Sequence, residues 1–307
     1  MSIIIDSMTK DLSPWIQAFK HAIPEEKIVQ WDDQPDLKQV QTAIVWNHRS
    51  ELFDCLPNLK MVCSLGAGVD HIFRDESLPD EVLVTRIISE ELSAPMSNFC
   101  IGAILYYQRQ FDKYLVDKEG KIWDQQFNPE REKHVGIMGM GQLGSDLATK
   151  LVGLGFTVSG LSRSRKVIKG VQSFIEEEMA NFLADIDYLV VLLPATSENK
   201  GILNNQLFDM IKPGAYLINV ARGHHQVNQD IVQALDSGKL GGAFLDVFPK
   251  EPLPVDDPLW VHPKVFITPH IAVVTKLEAA VPQIVENHRR MLKGEDLCGV
   301  ANKLRGY

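Results

Sequence analysis

The chain has 307 residues, 45% of them hydrophobic and 23% charged, and 31 lysines and arginines against 40 aspartates and glutamates leave a formal net charge of −9. Two domains with cores of their own suit that length, the composition excludes a disordered chain, and the acidic balance excludes a broad basic face for nucleic acid or an anionic membrane. No run reaches the roughly 18 apolar residues of a membrane span, and the opening MSIIIDSMTKDLSP has neither a basic region nor a long apolar core, so a cytoplasmic protein is expected.

In chain order, short apolar or β-branched runs at 2–6, 27–31, 42–47, 59–65 and 81–87 read as strands. Helical stretches stand between several of them, such as SPWIQAFKHAI, where Ser13 can cap and Pro14 can open the first turn. The alternation implies a parallel sheet in a small flavodoxin-like domain. Residues 97–123 carry apolar and aromatic side chains at helical spacing without an internal proline, and predict one long helix whose stripe packs in a core or a dimer interface. A second series follows, with strands expected in HVGIMG, FTVSGLS, DYLVVLLP, AYLINVA, GAFLDVF and VFITPH, which is enough for a complete doubly wound sheet. After His270, the segment VTKLEAAVPQIVENHRRMLKGE reads as helix, kinked or restarted near Pro282, that returns the chain to the first domain. The expected α/β architecture is therefore two doubly wound domains, one of residues 97–274 inserted in a discontinuous one of 1–96 and 275–307. The four cysteines, Cys55, Cys63, Cys100 and Cys298, form no C-x-x-C pair and are read as structural thiols, with no metal site.

HVGIMGMGQLGSDLATKL places Gly139, Gly141 and Gly144 as G-x-G-x-x-G, with Met140, Gln142 and Leu143 between them, after a strand and before a helix. In that context the motif makes the Rossmann turn, in which a dinucleotide pyrophosphate sits over the helix N-terminus. About 20 residues further on, an NAD site usually carries Asp or Glu for the adenosine ribose. Here the positions are Ser162, Arg163 and Ser164, followed by Arg165 and Lys166. Cations and hydroxyls without a carboxylate suit a 2′-phosphate, so NADP(H) is the expected cofactor, with Arg163 as the main contact.

The last three strand ends hold ARGHHQVNQD, DVFPKEP and TPH. With GIMGMGQLG before them, these motifs resemble in order the D-isomer-specific 2-hydroxyacid dehydrogenase family, over nearly the whole chain. AIVWN, SLGAGVDHI, LSRSRK, DPLW and the terminal RGY bring the resemblance closest to its glyoxylate/hydroxypyruvate reductase branch. It implies that Arg222 anchors the carboxylate and polarises the carbonyl of a 2-oxo acid. It also implies that His270 protonates the carbonyl oxygen and Glu251 supports His270. Ketone reduction does need a proton donor beside that oxygen, and imidazole serves best near neutral pH.

Further roles are implied by the same resemblance. Gly66, Ala67 and Gly68 receive the substrate carboxylate, Pro194 and Thr196 lie near the nicotinamide ribose, Asp246 takes the carboxamide, and Val220 and Ala221 bind the cofactor; Trp46, at the end of AIVW, either walls the pocket or packs in the core. The implied protein is a homodimer, joined through residues 97–123, that reduces glyoxylate or hydroxypyruvate with NADPH. A bulkier 2-oxo acid, or a non-catalytic nucleotide-sensing role, are the alternatives.

Overall fold

The apolar runs of the first hundred residues become strands β1 (Ser2–Ser7), β2 (Lys27–Val29), β3 (Val40–Trp46), β4 (Met61–Ser64) and β5 (Leu83–Thr85) in a computed structural model whose described residues are 2–125, 134–303 and 306. All pairings are parallel and the order is β2-β1-β3-β4-β5. Strands covered on both faces need continuous apolar runs rather than alternation, and Ile3, Ile4, Ile5, Ala43, Ile44 and Val45 are all buried. Register sets Ser7 beside Trp46 and Val45 beside Ser64, so the loops after β1, β3 and β4 leave the same edge of the sheet. Helix α1 (Ser13–Ala22), with Pro14 in its first turn, buries Trp15 and Phe19, and a short α2 (Asp70–Phe73) follows the β4 loop.

The second sheet has strands β6 (His134–Met138), β7 (Thr157–Leu161), β8 (Val171–Phe174), β9 (Tyr188–Val191), β10 (Ala215–Asn219), β11 (Leu240–Leu245) and β12 (Val265–Ile267). Its order is β12-β11-β10-β9-β6-β7-β8, again parallel, and the direction of winding reverses at β6. Six strands were expected and seven are present. The additional one, β8, is a half-exposed VQSF at the sheet edge that pairs only with β7 and lacks the long apolar run of its neighbours.

Helices α3 (Ser93–Gln108), α4 (Phe111–Glu119), α5 (Gln142–Gly153), α6 (Met179–Leu183), α7 (Asn205–Met210) and α8 (Asn228–Asp236) belong to this second unit. The single helix expected over 97–123 is replaced by α3 and α4. Gln110 adopts a left-handed φ of 59° between them, a conformation that nothing in a glutamine side chain announces. Helix α3 also starts earlier than expected, because Pro95 falls in its first turn, where no N–H is missed.

The chain divides into two compact units, Met1–Glu91 with Val274–Tyr307, and Leu92–Val273. The returning helix α9 (Leu277–Lys293) packs on α1 and runs unbroken through Pro282, where a kink or restart was expected. Its buried Asn287 holds the following segment by exchanging hydrogen bonds with Cys298, each 2.8 Å. Among the described residues no helix is long and apolar enough to cross a membrane. Arg305 and Tyr307 of the terminal RGY lie outside the described residues.

Candidate active site

Because β6 is flanked by β9 and β7, the loops after β6 and β9 diverge at the reversal point, the usual dinucleotide crevice of such a sheet. The glycine-rich turn occupies that place. Gly139 has φ +106°, and a Cβ on Gly144 would lie 2.0 Å from the Gly139 carbonyl oxygen, so strand and helix pack backbone to backbone. Nothing lies within 4 Å of a Cβ on Gly141, the N-cap of α5, and no side chain caps that helix. Its first-turn N–H groups, from Gln142 and Leu143 onward, therefore remain for an anion.

Met140 is buried, its side chain packed against Gly160 of β7. Across the crevice Pro194 O accepts from Asn199 Nδ2 at 3.1 Å and His225 Nε2 at 3.0 Å. Thr196 Oγ1 is buried with no partner among the described residues. An open cradle, uncapped amides and an orphaned hydroxyl fit a dinucleotide.

Beyond β7, Ser162 Oγ donates to Ser164 O at 2.8 Å and folds the turn. Arg165 is committed elsewhere: it reaches Ser173 O at 2.6 Å and Glu178 Oε1 at 2.5 Å, tying the turn to β8. Arg163 faces Glu198, on the loop after β9, at 3.2 Å, and both side chains are substantially exposed. The turn after β7 and the loop after β9 thus meet through that pair.

Three neighbouring strands deliver the polar cluster. From β10, Asn219 is fully buried; its Nδ2 donates to Gln226 Oε1 at 2.8 Å and Arg222 O at 3.3 Å, and its Oδ1 accepts from Ala221 N–H at 3.2 Å. This buried amide shapes the turn through Val220, Ala221 and Arg222. Gly223 then presses on the next loop, since a Cβ there would lie 1.8 Å from the Phe248 carbonyl carbon. We therefore expect Gly223→Ala to displace Arg222 from the Phe248–Glu251 loop, lowering thermal stability and turnover together; differential scanning calorimetry with an activity assay checks this.

From β11, Asp246 is buried beneath the next loop. Its oxygens accept from Thr268 Oγ1 at 2.6 Å and from the N–H groups of Ile271 at 2.8 Å and Ala272 at 2.9 Å. Burial raises its pKa above the ordinary aspartate value even against those bonds. The result is a fixed platform for His270, which stands in the left-handed region at φ 55° with its N–H bonded to Asp246 O at 2.8 Å.

His270 Nδ1 meets Glu251 Oε2 at 2.8 Å, and Glu251 Oε1 accepts from Phe248 N–H at 2.9 Å. Burial pushes the Glu251 pKa up, but the bonds from His270 and Phe248 and the charges of His270 and Arg222 outweigh it, so the carboxyl titrates below its ordinary range. A carboxylate on Nδ1 leaves Nε2 outward, and His270 stays partly exposed. A cation, an imidazole with one free nitrogen and an ionised carboxylate can together bind a carboxylic acid and exchange a proton with it.

In the first unit the expected substrate loop follows β4. Ser64 Oγ donates to Gly68 O at 2.7 Å and accepts from Gly66 N–H at 3.2 Å. The N–H groups of Ala67 and Gly68 meet no acceptor among the described residues, as in an anion-binding nest. Trp46, at the end of β3, packs on this loop: a Cβ on Gly66 would lie 2.5 Å from its ring.

The family model for the NAD binding domain of D-isomer specific 2-hydroxyacid dehydrogenases matches residues 101–272. The chain belongs to this family. As a member of it, the protein is an NAD(P)-dependent 2-hydroxyacid dehydrogenase. It resembles a D-isomer specific 2-hydroxyacid dehydrogenase from Xanthobacter autotrophicus Py2, solved in complex with NADPH and MES, at 35% identity and a TM-score of 0.92, over 100% of this chain and 99% of that one. The same figures hold for an NADPH-dependent glyoxylate/hydroxypyruvate reductase from Sinorhizobium meliloti in complex with NADP and sulfate. A family protein from Klebsiella pneumoniae 342 is 38% identical, with a TM-score of 0.90, over 99% of this chain and 98% of that one.

Several supporting residues of this dehydrogenase escaped sequence reading. His225 reads as a loop residue beside Arg222, yet it is fully buried and fastens Pro194 to the Arg222 turn. Asn219 sits inside the apolar run YLINV, and a lone amide there was the only available signal. Thr268, inside TPH, ties to Asp246 and so braces the histidine loop.

Proposed function

We propose that this dehydrogenase reduces small 2-oxo acids, glyoxylate and hydroxypyruvate among them, with NADPH. The 2.8 Å contact between His270 Nδ1 and Glu251 carries the reading, because it orients a proton donor by a carboxylate held ionised. A bound reduced nicotinamide supplies the hydride that reaches substrate C2. His270 Nε2 gives its proton to the carbonyl oxygen, and Glu251 stabilises the imidazolium before the transfer. Arg222 pairs with the substrate carboxylate and draws electron density from the carbonyl. The N–H groups of Ala67 and Gly68 take a carboxylate oxygen, and Trp46 bounds the tail.

Gly139, Gly141 and Gly144, with Met140, Gln142 and Leu143, hold the pyrophosphate. Pro194, Thr196, Val220 and Ala221 line the nicotinamide side. Asp246 has one acceptor position left for the carboxamide after its three bonds to the histidine loop. The exposed Phe111, Tyr114, Leu115 and Val116 of α4 support a homodimer. Purified protein given NADPH and glyoxylate or hydroxypyruvate should lose the reduced-nicotinamide absorbance; no loss with any 2-oxo acid overturns the reading.

NADPH selection falls to Ser162, Arg163 and Ser164, because Arg165 is already held by Glu178 and Ser173. Arg163→Asp should weaken NADPH binding by roughly tenfold or more, since it exchanges a charge-assisted bond for repulsion, and leave NADH binding nearly unchanged. Glu198 competes with the phosphate for Arg163, so Glu198→Gln should tighten NADPH by about two- to fivefold, the range of an exposed pair. Fluorescence titration with both cofactors checks the two variants; equal changes for NADH refute the assignment.

A further inference from the structure

At the edge of the first sheet, several cations are paired with carboxylates. Arg49 reaches Asp6 Oδ1 through Nε and Nη2, both at 2.9 Å. Arg74 reaches Asp70 at 3.1 Å, and His48 meets Asp75 at 2.9 Å. Lys10, on the loop between β1 and α1, has no carboxylate beside its ammonium among the described residues. Its Nζ stands 5.0 Å from the centroid of the Trp46 ring.

The neighbouring acid is turned away, with Asp11 Oδ1 accepting from Ser13 N–H at 2.9 Å. The loop itself is fixed, with Ser7 Oγ accepting from the N–H groups of Thr9 at 3.2 Å and Lys10 at 3.1 Å. Burial lowers the Lys10 pKa, and no opposite charge counters that effect. An ammonium that has lost part of its hydration to an indole face is short of an anion.

Trp46 connects this cation to the substrate loop. Its ring covers Gly66, at the start of the turn whose Ala67 and Gly68 N–H groups point to no acceptor among the described residues. The Trp46 ring thus has two anion receptors beside it, the backbone amides of the Gly66–Gly68 loop and the Lys10 ammonium. A monocarboxylate such as glyoxylate uses only one of them. A chain with a formal net charge of −9 repels a dianion unless a local cation receives it.

We infer that Lys10, over Trp46, is a second anion subsite beside the Gly66–Gly68 loop, and that the enzyme accepts short 2-oxo acids whose tail carries a second carboxylate. This rests on the proposal that the Gly66–Gly68 loop receives the substrate carboxylate. The reaction at C2 is the one already described. Lys10 touches only the tail and sets which tail is accepted.

The test is calorimetric titration of the NADP+-loaded protein with tartronate, a 2-hydroxy dicarboxylate, and with glycolate, its one-carboxylate counterpart. The wild type should bind tartronate about ten- to a hundredfold more tightly, the worth of one hydrogen bond to a charged group. Lys10→Gln should abolish that preference and leave glycolate within about twofold, because only the tail contact is lost. Lys10→Arg should keep the preference, which separates charge from mere packing over Trp46.

Equal affinity of the wild type for the two acids, or no measurable tartronate binding, overturns the inference. So does an equal loss of both ligands in Lys10→Gln with Lys10→Arg no better. In steady state, Lys10→Gln should raise KM for oxaloacetate selectively over glyoxylate. A protein that binds tartronate through Lys10 yet reduces no 2-oxo acid refutes the proposed function alone, and one that reduces glyoxylate without preferring the dianion refutes this inference alone.

Discussion

Replacing His270 by alanine should lower kcat by roughly 10² to 10⁴-fold, the usual contribution of a positioned general acid, while the Kd for NADPH changes little. The proposed cofactor cradle lies on β6, β7 and β9, whereas His270 stands beyond β12, held by Asp246 and Thr268. Unchanged turnover in the variant would remove His270 from the mechanism. Glycine at the same position separates chemistry from stability. A left-handed φ of 55° strains a non-glycine residue by about 1–2 kcal/mol, and glycine adds about 0.5–1 kcal/mol of unfolded-chain entropy. Loss of the half-exposed Glu251 contact removes up to about 1 kcal/mol more. These contributions nearly cancel, so His270→Gly should remain within about 1 kcal/mol of wild-type stability although its turnover falls as far as that of the alanine variant. Urea melts read beside initial rates decide the matter.

Arg222→Gln should reduce kcat/KM by roughly 10² to 10³-fold, the scale seen when one fixed donor to a developing oxyanion is removed. The loss should divide between KM, through the unpaired substrate carboxylate, and kcat, through the less polarised carbonyl. The variant also has a signature in pH. Burial raises the Glu251 pKa, and the His270 and Phe248 bonds with the His270 and Arg222 charges bring it below the ordinary value. Without Arg222 one of the charges favouring the carboxylate is gone, so the pKa rises and the acid limb of the kcat/KM profile moves to higher pH. A loss in kcat/KM with an unmoved acid limb would mean that Arg222 acts on substrate alone.

The strands were legible in the sequence where burial on both faces forced continuous apolar runs, as in SIIID or DYLVV. The dinucleotide turn was legible because Gly139 and Gly144 answer to backbone contacts no other residue tolerates. The edge strand β8 was hidden because an edge needs neither a long run nor full burial. The break at Gln110 was hidden because left-handed backbone at a glutamine leaves no compositional trace.

Within the candidate site, Arg222, Glu251 and His270 stood out as charged or titratable residues at successive strand ends. Asn219 and His225 did not, although the first shapes the Arg222 turn and the second ties it to Pro194. Their effect comes from burial and from partners distant in sequence. Lys10 carries an ordinary side chain in an ordinary loop, distinguished by the nearby indole and by the lack of a carboxylate beside it among the described residues.

The glycine turn, the Ser162–Ser164 turn and the cluster of Arg222, Asp246, Glu251 and His270 all fall inside Leu92–Val273, an unbroken stretch of chain, while the other unit is assembled from both ends of the sequence. The residues proposed for the redox chemistry therefore lie on one uninterrupted segment. On that division, substitutions in the flanking segments, Lys10 among them, should change the choice of substrate and leave cofactor binding as it is. An engineer seeking a new specificity would begin the library at the two termini and leave the middle of the gene alone.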